Sequence, residues 1–344
     1  MDNVVGVTEP APVHLLVGIA EDNLAAFFPG SALDRLTALG EVSFETPARL
    51  LDDAAFAEAA RGAQIFVTAW GFPALTGGRL AAAPQLALVA HAASSLRAVT
   101  TPEFWQAGIP ITQSGAAMAP AVAELALTMT LSLLRGVPRY DHALRTGAQW
   151  ESARGAVSRR PREISGARIG VVGASRVGRA YAAAAQALGA QVRVFDPYLA
   201  ESDPLGPSAG SVADLCRGSD VLAVHAPALA ETEGLVGAGE LAALPDGAVV
   251  VNTARQSIVD DAALFAAAAA GRIDVGLDVF DDEPLPLSSP WRALPNVLLT
   301  PHVAGATVQS RRRGGEIVIA EIERHLRGER LQHRVEHDAF LRMA

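Results

Sequence analysis

Lysine is absent from this 344-residue chain, and all 28 of its basic residues are arginine. That excludes a phosphate-loop lysine, a Schiff-base lysine and pyridoxal phosphate chemistry. Any cation at a functional site is then an arginine, whose planar fork suits a carboxylate. Cysteine is nearly absent too, with Cys216 alone. A disulfide framework within the chain and a cysteine-based metal cluster are both excluded. The net charge is −9. The densest basic spot, "RRR" at 311–313, reads as a solvated helix start, so nucleic acid is not expected as a partner. No apolar run is expected to reach the length of a membrane span. The opening "MDNVVGVTEP" lacks the charged and apolar regions of a secretory signal. A cytoplasmic location follows as the expectation, with no membrane partner.

What is present is a globular balance, with 50% apolar and 19% charged residues over a length that suits two domains. Short apolar runs alternate with Ala- and Leu-rich helical stretches. "HLLVGIA" (14–20), "QIFVTA" (64–69), "LALVAHAA" (86–93) and "IPITQS" (109–114) read as strands. A long buried helix is expected over "AVAELALTMTLSLLRG" (121–136). A second strand series follows: 167–173, 191–196, 220–227, 247–254, 275–280 and 296–301. Strands that are apolar throughout, separated by helices, imply parallel sheets covered on both faces. Residues 308–327 read as a final helix.

"ARIGVVGASRVGRAYAAAAQALGA" reads as strand, turn and helix. The turn is Gly173, Ala174, Ser175, Arg176, Val177, Gly178, in which Ser175 stands where G-x-G-x-x-G has its middle glycine. Such a turn lets a pyrophosphate rest on the helix N-terminus, and the Ser175 hydroxyl could itself bond a phosphate. The next apolar run ends in Asp196, 18 residues after Gly178. A carboxylate there accepts hydrogen bonds from both ribose hydroxyls of NAD and repels a 2′-phosphate; alternatively it caps the "DPY" turn.

Ligands of open α/β sheets bind beyond the carboxyl ends of the strands. "VVVNTAR" puts Arg255 just past one strand, "VGLDVFDDEP" puts Asp278 and Glu283 past the next, and "LLTPHVAG" puts His302 past the last. Arginine can grip a carboxylate, histidine can move a proton near neutral pH, and glutamate beside it can hold one tautomer. The alternatives are a surface ion pair, a loop acid and a satisfied core histidine.

The segments "VVGASRVGRA", "DVLAVHAPALAETEGLVG", "LPDGAVVVNTARQSIVDDAAL", "GLDVFDDEPLP" and "LPNVLLTPHVAGAT" together resemble the D-isomer-specific 2-hydroxyacid dehydrogenase family, which includes phosphoglycerate dehydrogenases and glyoxylate/hydroxypyruvate reductases. The resemblance runs from about 121 to 307. It implies NAD as cofactor, Arg255 as the substrate arginine, Glu283 as the acid that orients the histidine, and His302 as the acid/base. It places Gly173, Ser175, Arg176, Val177, Gly178, Asp196, His225, Ala226, Pro227, Thr232, Thr253, Ala254, Arg255, Asp278, His302, Ala304 and Gly305 against the cofactor. It implies two Rossmann-like, doubly wound parallel-sheet domains with a cleft between them. A flavodoxin-like substrate domain would comprise 1–117 and 308–344, and an NAD domain 118–307. The family's usual assembly implies a homodimer joined through the NAD domain.

"HAASSLR" (91–97) departs from the family's usual Gly-x-Gly-x-Asp-Asn pattern, where backbone amides hold the substrate carboxylate. Ala92, Ala93 and Ser94 would take that role here, and a small 2-keto or 2-hydroxy acid is the expected substrate. The side-chain preference would be set by loops near 70–75, 91–97 and 287–292. Two other readings share the frame. One is a formate- or phosphite-type dehydrogenase, against which Glu283 argues, since formate dehydrogenases pair the histidine with glutamine. The other is an NAD-sensing corepressor-like binding protein, which would keep all three residues.

Overall fold

The computed structural model describes residues 12–157 and 160–343. They form two compact units. One is the described chain up to Ala117 together with Val308–Leu341; the other is Met118–Thr307 with the residues from Arg342 on.

The first unit holds a five-stranded sheet of β1 (His14–Gly18), β2 (Glu41–Glu45), β3 (Ile65–Thr68), β4 (Leu88–His91) and β5 (Ile111–Gln113). The order is β2-β1-β3-β4-β5 and every pairing is parallel. This is the flavodoxin-like order, in which the chain reverses direction of winding after the edge strand. β3 and β4 are buried along their whole length. The helix Val308–Leu326 returns to this unit. Its "GG" pair explains how closely it docks. A Cβ at Gly315 would lie 2.0 Å from the Phe27 carbonyl oxygen, and one at Gly314 would lie 3.1 Å from that of Ala92.

The second unit holds β6 (Arg168–Val172), β7 (Gln191–Phe195), β8 (Val221–Val224), β9 (Val249–Asn252), β10 (Asp274–Leu277) and β11 (Val297–Leu299). Their order is β11-β10-β9-β8-β6-β7, again all parallel. The residues of β8 and β9 are buried throughout. Each fully buried valine or leucine contributes roughly 1.5–3 kcal/mol, which commits these runs to the sheet interior. Winding diverges at β6, with β7 on one side and β8 on the other. Cys216 is buried in this unit, and burial pushes its thiol up to about 12, so the lone cysteine is unreactive at neutral pH.

Two features differ from the sequence expectations. β2, "EVSFE", has no fully buried residue and pairs only with β1, so it carries no continuous apolar run. The helix Gly115–Leu134 is 20 residues long and apolar enough to cross a membrane by length and composition, although no such run was expected. Its burial gives the reason for the composition. Met129 and Leu133 pack closely over Gly276 of β10, and the Thr130 hydroxyl pairs with that of Tyr181 at 2.8 Å. It is the core helix of a sheet whose small residue Gly276 admits it.

Candidate active site

The carboxyl ends of β9, β10 and β11 are level, since Leu277 pairs with Asn252 on one side and with Leu299 on the other. The loops that leave these three neighbouring strands therefore start from one edge. Arg255 lies in the first of them. Asn252 shapes it, accepting from the Ala254 amide at 3.0 Å and donating to the Arg255 carbonyl at 2.9 Å. The Arg255 guanidinium donates back to the Ala254 carbonyl at 2.6 Å and is half-buried.

Asp278 follows β10 and is fully buried. Its Oδ1 accepts from the Thr300 hydroxyl at 2.6 Å and the Val303 amide at 2.9 Å, and its Oδ2 from the Ala304 amide at 2.9 Å. All three donors belong to the loop after β11, so this carboxylate clamps the segment that carries His302. His302 has φ +52, and it is the single non-glycine residue with positive φ among the described residues. A non-glycine residue held there costs on the order of 1–3 kcal/mol, and such strain collects at functional sites. Within that turn the His302 Nδ1 lies 2.6 Å from Glu283 Oε2. The other oxygen of Glu283 accepts the Phe280 amide at 3.0 Å, which fixes the carboxylate. Nδ1 faces a fixed acceptor, so it is the protonated nitrogen, and Nε2 is left to face outward. The pair is 44% and 36% exposed, which leaves the imidazole accessible to a ligand.

The loop Gly173–Gly178 stands at the end of β6. Gly173 has φ +96, and a Cβ there would come within 2.6 Å of the Ala226 backbone; one at Gly178 would lie 2.1 Å from the Gly173 carbonyl oxygen. Only glycines fit a turn this tight against the segment after β8. Ser175 differs from the expected phosphate donor. Its hydroxyl donates to the His225 carbonyl at 2.9 Å and accepts the Gly178 amide at 3.2 Å. It caps the helix Arg176–Ala187, with its proton committed inside the protein. Arg176 is exposed and Val177 half-buried in the first turn of that helix.

Asp196 ends β7. Its carboxylate accepts the Ala174 amide at 2.7 Å and the Tyr198 amide at 2.9 Å, which ties the acid to the glycine loop as well as to the "DPY" turn. Beside it, Arg179 is held by Asp203 through two bonds of 2.8 and 2.7 Å, and this pairing draws the Asp203 carboxyl down to about 2. His225, at the end of β8, is 4% exposed, and its ring nitrogens are both buried without hydrogen-bond partners among the described residues. Burial pushes it down to about 3, so it is neutral. Next come Ala226 and Pro227, and the Thr232 hydroxyl donates to the Pro227 carbonyl at 2.6 Å. The Thr253 hydroxyl, buried at the end of β9, also lacks a hydrogen-bond partner among the described residues. Gly305 packs beside Met118 and Val122.

These residues fit a dinucleotide. A tight glycine turn opens a helix, an acid ends the next strand, and an orphaned buried hydroxyl lies at the same sheet edge. Sequence reasoning did not single out Asn252 or Thr300. Both are polar residues that terminate apolar runs.

In the first unit, Ala92, Ala93 and Ser94 follow β4. Ala92 and Ala93 are buried and Ser94 is half-buried. The Ala92 amide donates to the Thr68 carbonyl at 2.8 Å, and the Ala93 carbonyl accepts the Ser114 amide at 2.9 Å. The preceding His91 is buried with its Nδ1 2.8 Å from the Thr68 hydroxyl, and burial pushes it down to about 4.

Comparison with known proteins agrees with this geometry. Residues 127–304 match the family described as D-isomer specific 2-hydroxyacid dehydrogenase, NAD binding domain. The chain is 36% identical over 253 residues to the D-3-phosphoglycerate dehydrogenase of Mycobacterium tuberculosis, covering 73% of this chain and 47% of that protein. It thus spans about half the length of that relative. It is 30% identical over 256 residues to the hydroxypyruvate reductase of Thermotoga maritima, covering 73% of this chain and 81% of the relative. Among solved structures it resembles the NADPH-dependent glyoxylate/hydroxypyruvate reductase of Sinorhizobium meliloti with a TM-score of 0.76 at 26% identity, over 96% of this chain and 99% of that one. The match takes in the glycine turn, Asp196, Arg255, Glu283 and His302 together, and the chain accordingly belongs to the D-isomer-specific 2-hydroxyacid dehydrogenase family, with NAD as its cofactor.

Proposed function

We propose that the protein is a dehydrogenase that interconverts a small 2-keto acid and the corresponding D-2-hydroxy acid. The observation that carries this reading is the His302–Glu283 pair, 2.6 Å apart, on a strained turn that the buried Asp278 clamps. NADH, when bound, supplies the hydride. His302 Nε2 then provides the proton for the carbonyl oxygen, while Glu283 keeps Nδ1 as the donor to its own carboxylate. Arg255 binds the substrate carboxylate through its fork and helps stabilise charge that develops on the reacting oxygen. The amides of Ala93 and Ser94, in the loop with Ala92, are proposed as a second hold on that carboxylate.

A homodimer joined through the nucleotide unit and a cytoplasmic location belong to the same proposal. Exposed Val137, Leu144 and Trp150 on the helices Val137–Arg145 and Trp150–Arg154 support the dimer. The test of function is NADH oxidation against a panel of small 2-keto acids. Turnover of at least one supports the reading. Tight NADH binding without turnover of any would favour a binding protein instead.

A further inference from the structure

Asp260 and Asp261 open the helix Asp261–Ala269, which follows the Arg255 loop. Asp260 is its cap, with Oδ1 accepting the Ala263 amide at 3.0 Å. Asp261 is not needed for that task, and its carboxylate serves other donors. Its Oδ1 accepts the side-chain amide of Gln256 at 2.6 Å, and the Trp291 indole N–H donates to the same group. Gln256 adjoins Arg255 and is buried. Trp291 is buried too, and its ring stands edge-on to Phe265 of the same helix, with centroids 5.1 Å apart. Asp261 itself is half-buried. That burial, with the charge of nearby Asp281, raises its carboxyl above the usual range, and the two donors oppose the rise. An acid in such surroundings is costly unless it is bonded.

The two donors come from different connections. Gln256 belongs to the one after β9, which carries Arg255, and Trp291 to the one from β10 to β11, which carries Glu283. The Trp291 end of that second connection is tied back toward Glu283. The Arg292 guanidinium donates to the Leu285 carbonyl at 2.7 Å and to the Pro286 carbonyl at 2.9 Å. Asp278 already binds the loop after β11 to the end of β10. Asp261 makes the corresponding tie between the connections that leave β9 and β10.

We propose that Asp261 is a positioning residue, which holds the Arg255 loop against the connection that carries Glu283. The guanidinium that binds the substrate carboxylate and the acid that holds His302 then keep one spacing, as a group that must meet a small substrate requires. This inference rests on the proposed 2-keto acid reduction.

The experiment measures kcat and KM with glyoxylate, hydroxypyruvate and 2-oxobutanoate, and NADH affinity by titration. Asp261→Ala is expected to lower kcat/KM roughly tenfold to a hundredfold, mostly through KM for the acid, with NADH affinity nearly intact. Asp261→Glu keeps both acceptor oxygens and is expected to recover most of the loss. Asp261→Asn offers one oxygen to two donors and is expected to recover little. Trp291→Phe keeps a ring beside Phe265 but removes one donor, so part of the same loss is expected. Combined with Asp261→Ala it should add nothing further, because the tie is already broken. Should Asp261→Ala fail to fold, Trp291→Phe and Asp261→Asn carry the same test. Wild-type kcat/KM in these variants, additive losses in the double variant, or NADH affinity that falls as far as kcat/KM overturns the inference while leaving the function standing. A wild type that reduces none of the acids overturns the function, and the inference with it.

Discussion

Thr300 donates its hydroxyl proton to Asp278 at 2.6 Å, and through this contact and two backbone amides a fully buried carboxylate holds the turn on which His302 sits. The three donors lie on both sides of the histidine. They secure a backbone conformation that a β-carbon-bearing residue would otherwise leave.

The first prediction tests this clamp. Asp278→Asn places an amide nitrogen where a carboxylate oxygen accepted a proton, so at least one donor faces another donor. Leaving a buried donor unmatched costs roughly 1–3 kcal/mol. Thr300→Val removes one bond of the three and should cost about 1 kcal/mol. Chemical denaturation measures both. Equal stability of Asp278→Asn and wild type would show that the clamp contributes nothing.

The second prediction concerns proton transfer. His302→Ala should lower kcat by roughly 10²–10⁴-fold with NADH affinity nearly intact, since a positioned acid contributes on that scale. Glu283→Gln keeps an acceptor for Nδ1 but loses the charge, so it should be milder. Glu283→Ala leaves the ring unheld and should fall between the two. A His302→Ala enzyme with near-normal kcat would make the histidine a structural group.

Much of this site was legible in sequence because the elements that position it are buried. β8 and β9 are apolar runs in full, as a doubly covered parallel sheet requires, and the functional residues stand where those runs stop. β2 was not legible, because an edge strand that starts and ends in glutamate and buries none of its residues shows no such run. The role of Asp278 was not legible either. An acid at a strand end reads the same whether its partner is a cofactor or the next loop, and only the fold shows three donors converging on it. Ser175 is similar, since its hydroxyl is committed to a carbonyl that comes from a distant strand end.

The third prediction is cofactor choice. Asp196 follows the second strand of the nucleotide unit, where the proposed reading sets a carboxylate against a 2′-phosphate, and Arg179, the nearby cation, is engaged by Asp203 through two bonds. NADH should therefore be used much better than NADPH. Asp196→Ala should narrow the gap by removing the repulsion. Asp203→Asn should narrow it as well, by loosening Arg179 toward the phosphate. The ratio of kcat/KM for the two cofactors is the measurement. Equal values in the wild type would remove Asp196 from this role.

The last prediction is pH dependence of stability. His91, in the first unit, and His225, in the second, are buried and held neutral, at about 4 and about 3 against an ordinary value of 6.5. Desolvation is the main cause for both. Above pH 6.5 the folded and unfolded chains alike carry these groups neutral, and their contribution to stability is complete. Below it the unfolded chain takes up protons that the folded chain refuses, until the pH nears 4 for His91 and 3 for His225. Stability therefore falls as pH drops through that window, by on the order of 1 kcal/mol per pH unit for each histidine. His225→Phe keeps an aromatic ring beside Tyr181, whose centroid lies 5.0 Å from that of His225, and removes the titrating group. Its stability curve should be flatter than the wild type's between pH 6 and 4 by about one histidine's worth. His91→Asn should flatten the same limb independently, because the two residues lie in different units. Denaturation midpoints across that range decide the matter, and curves that stay parallel to the wild type would mean that neither ring resists protonation in the folded protein.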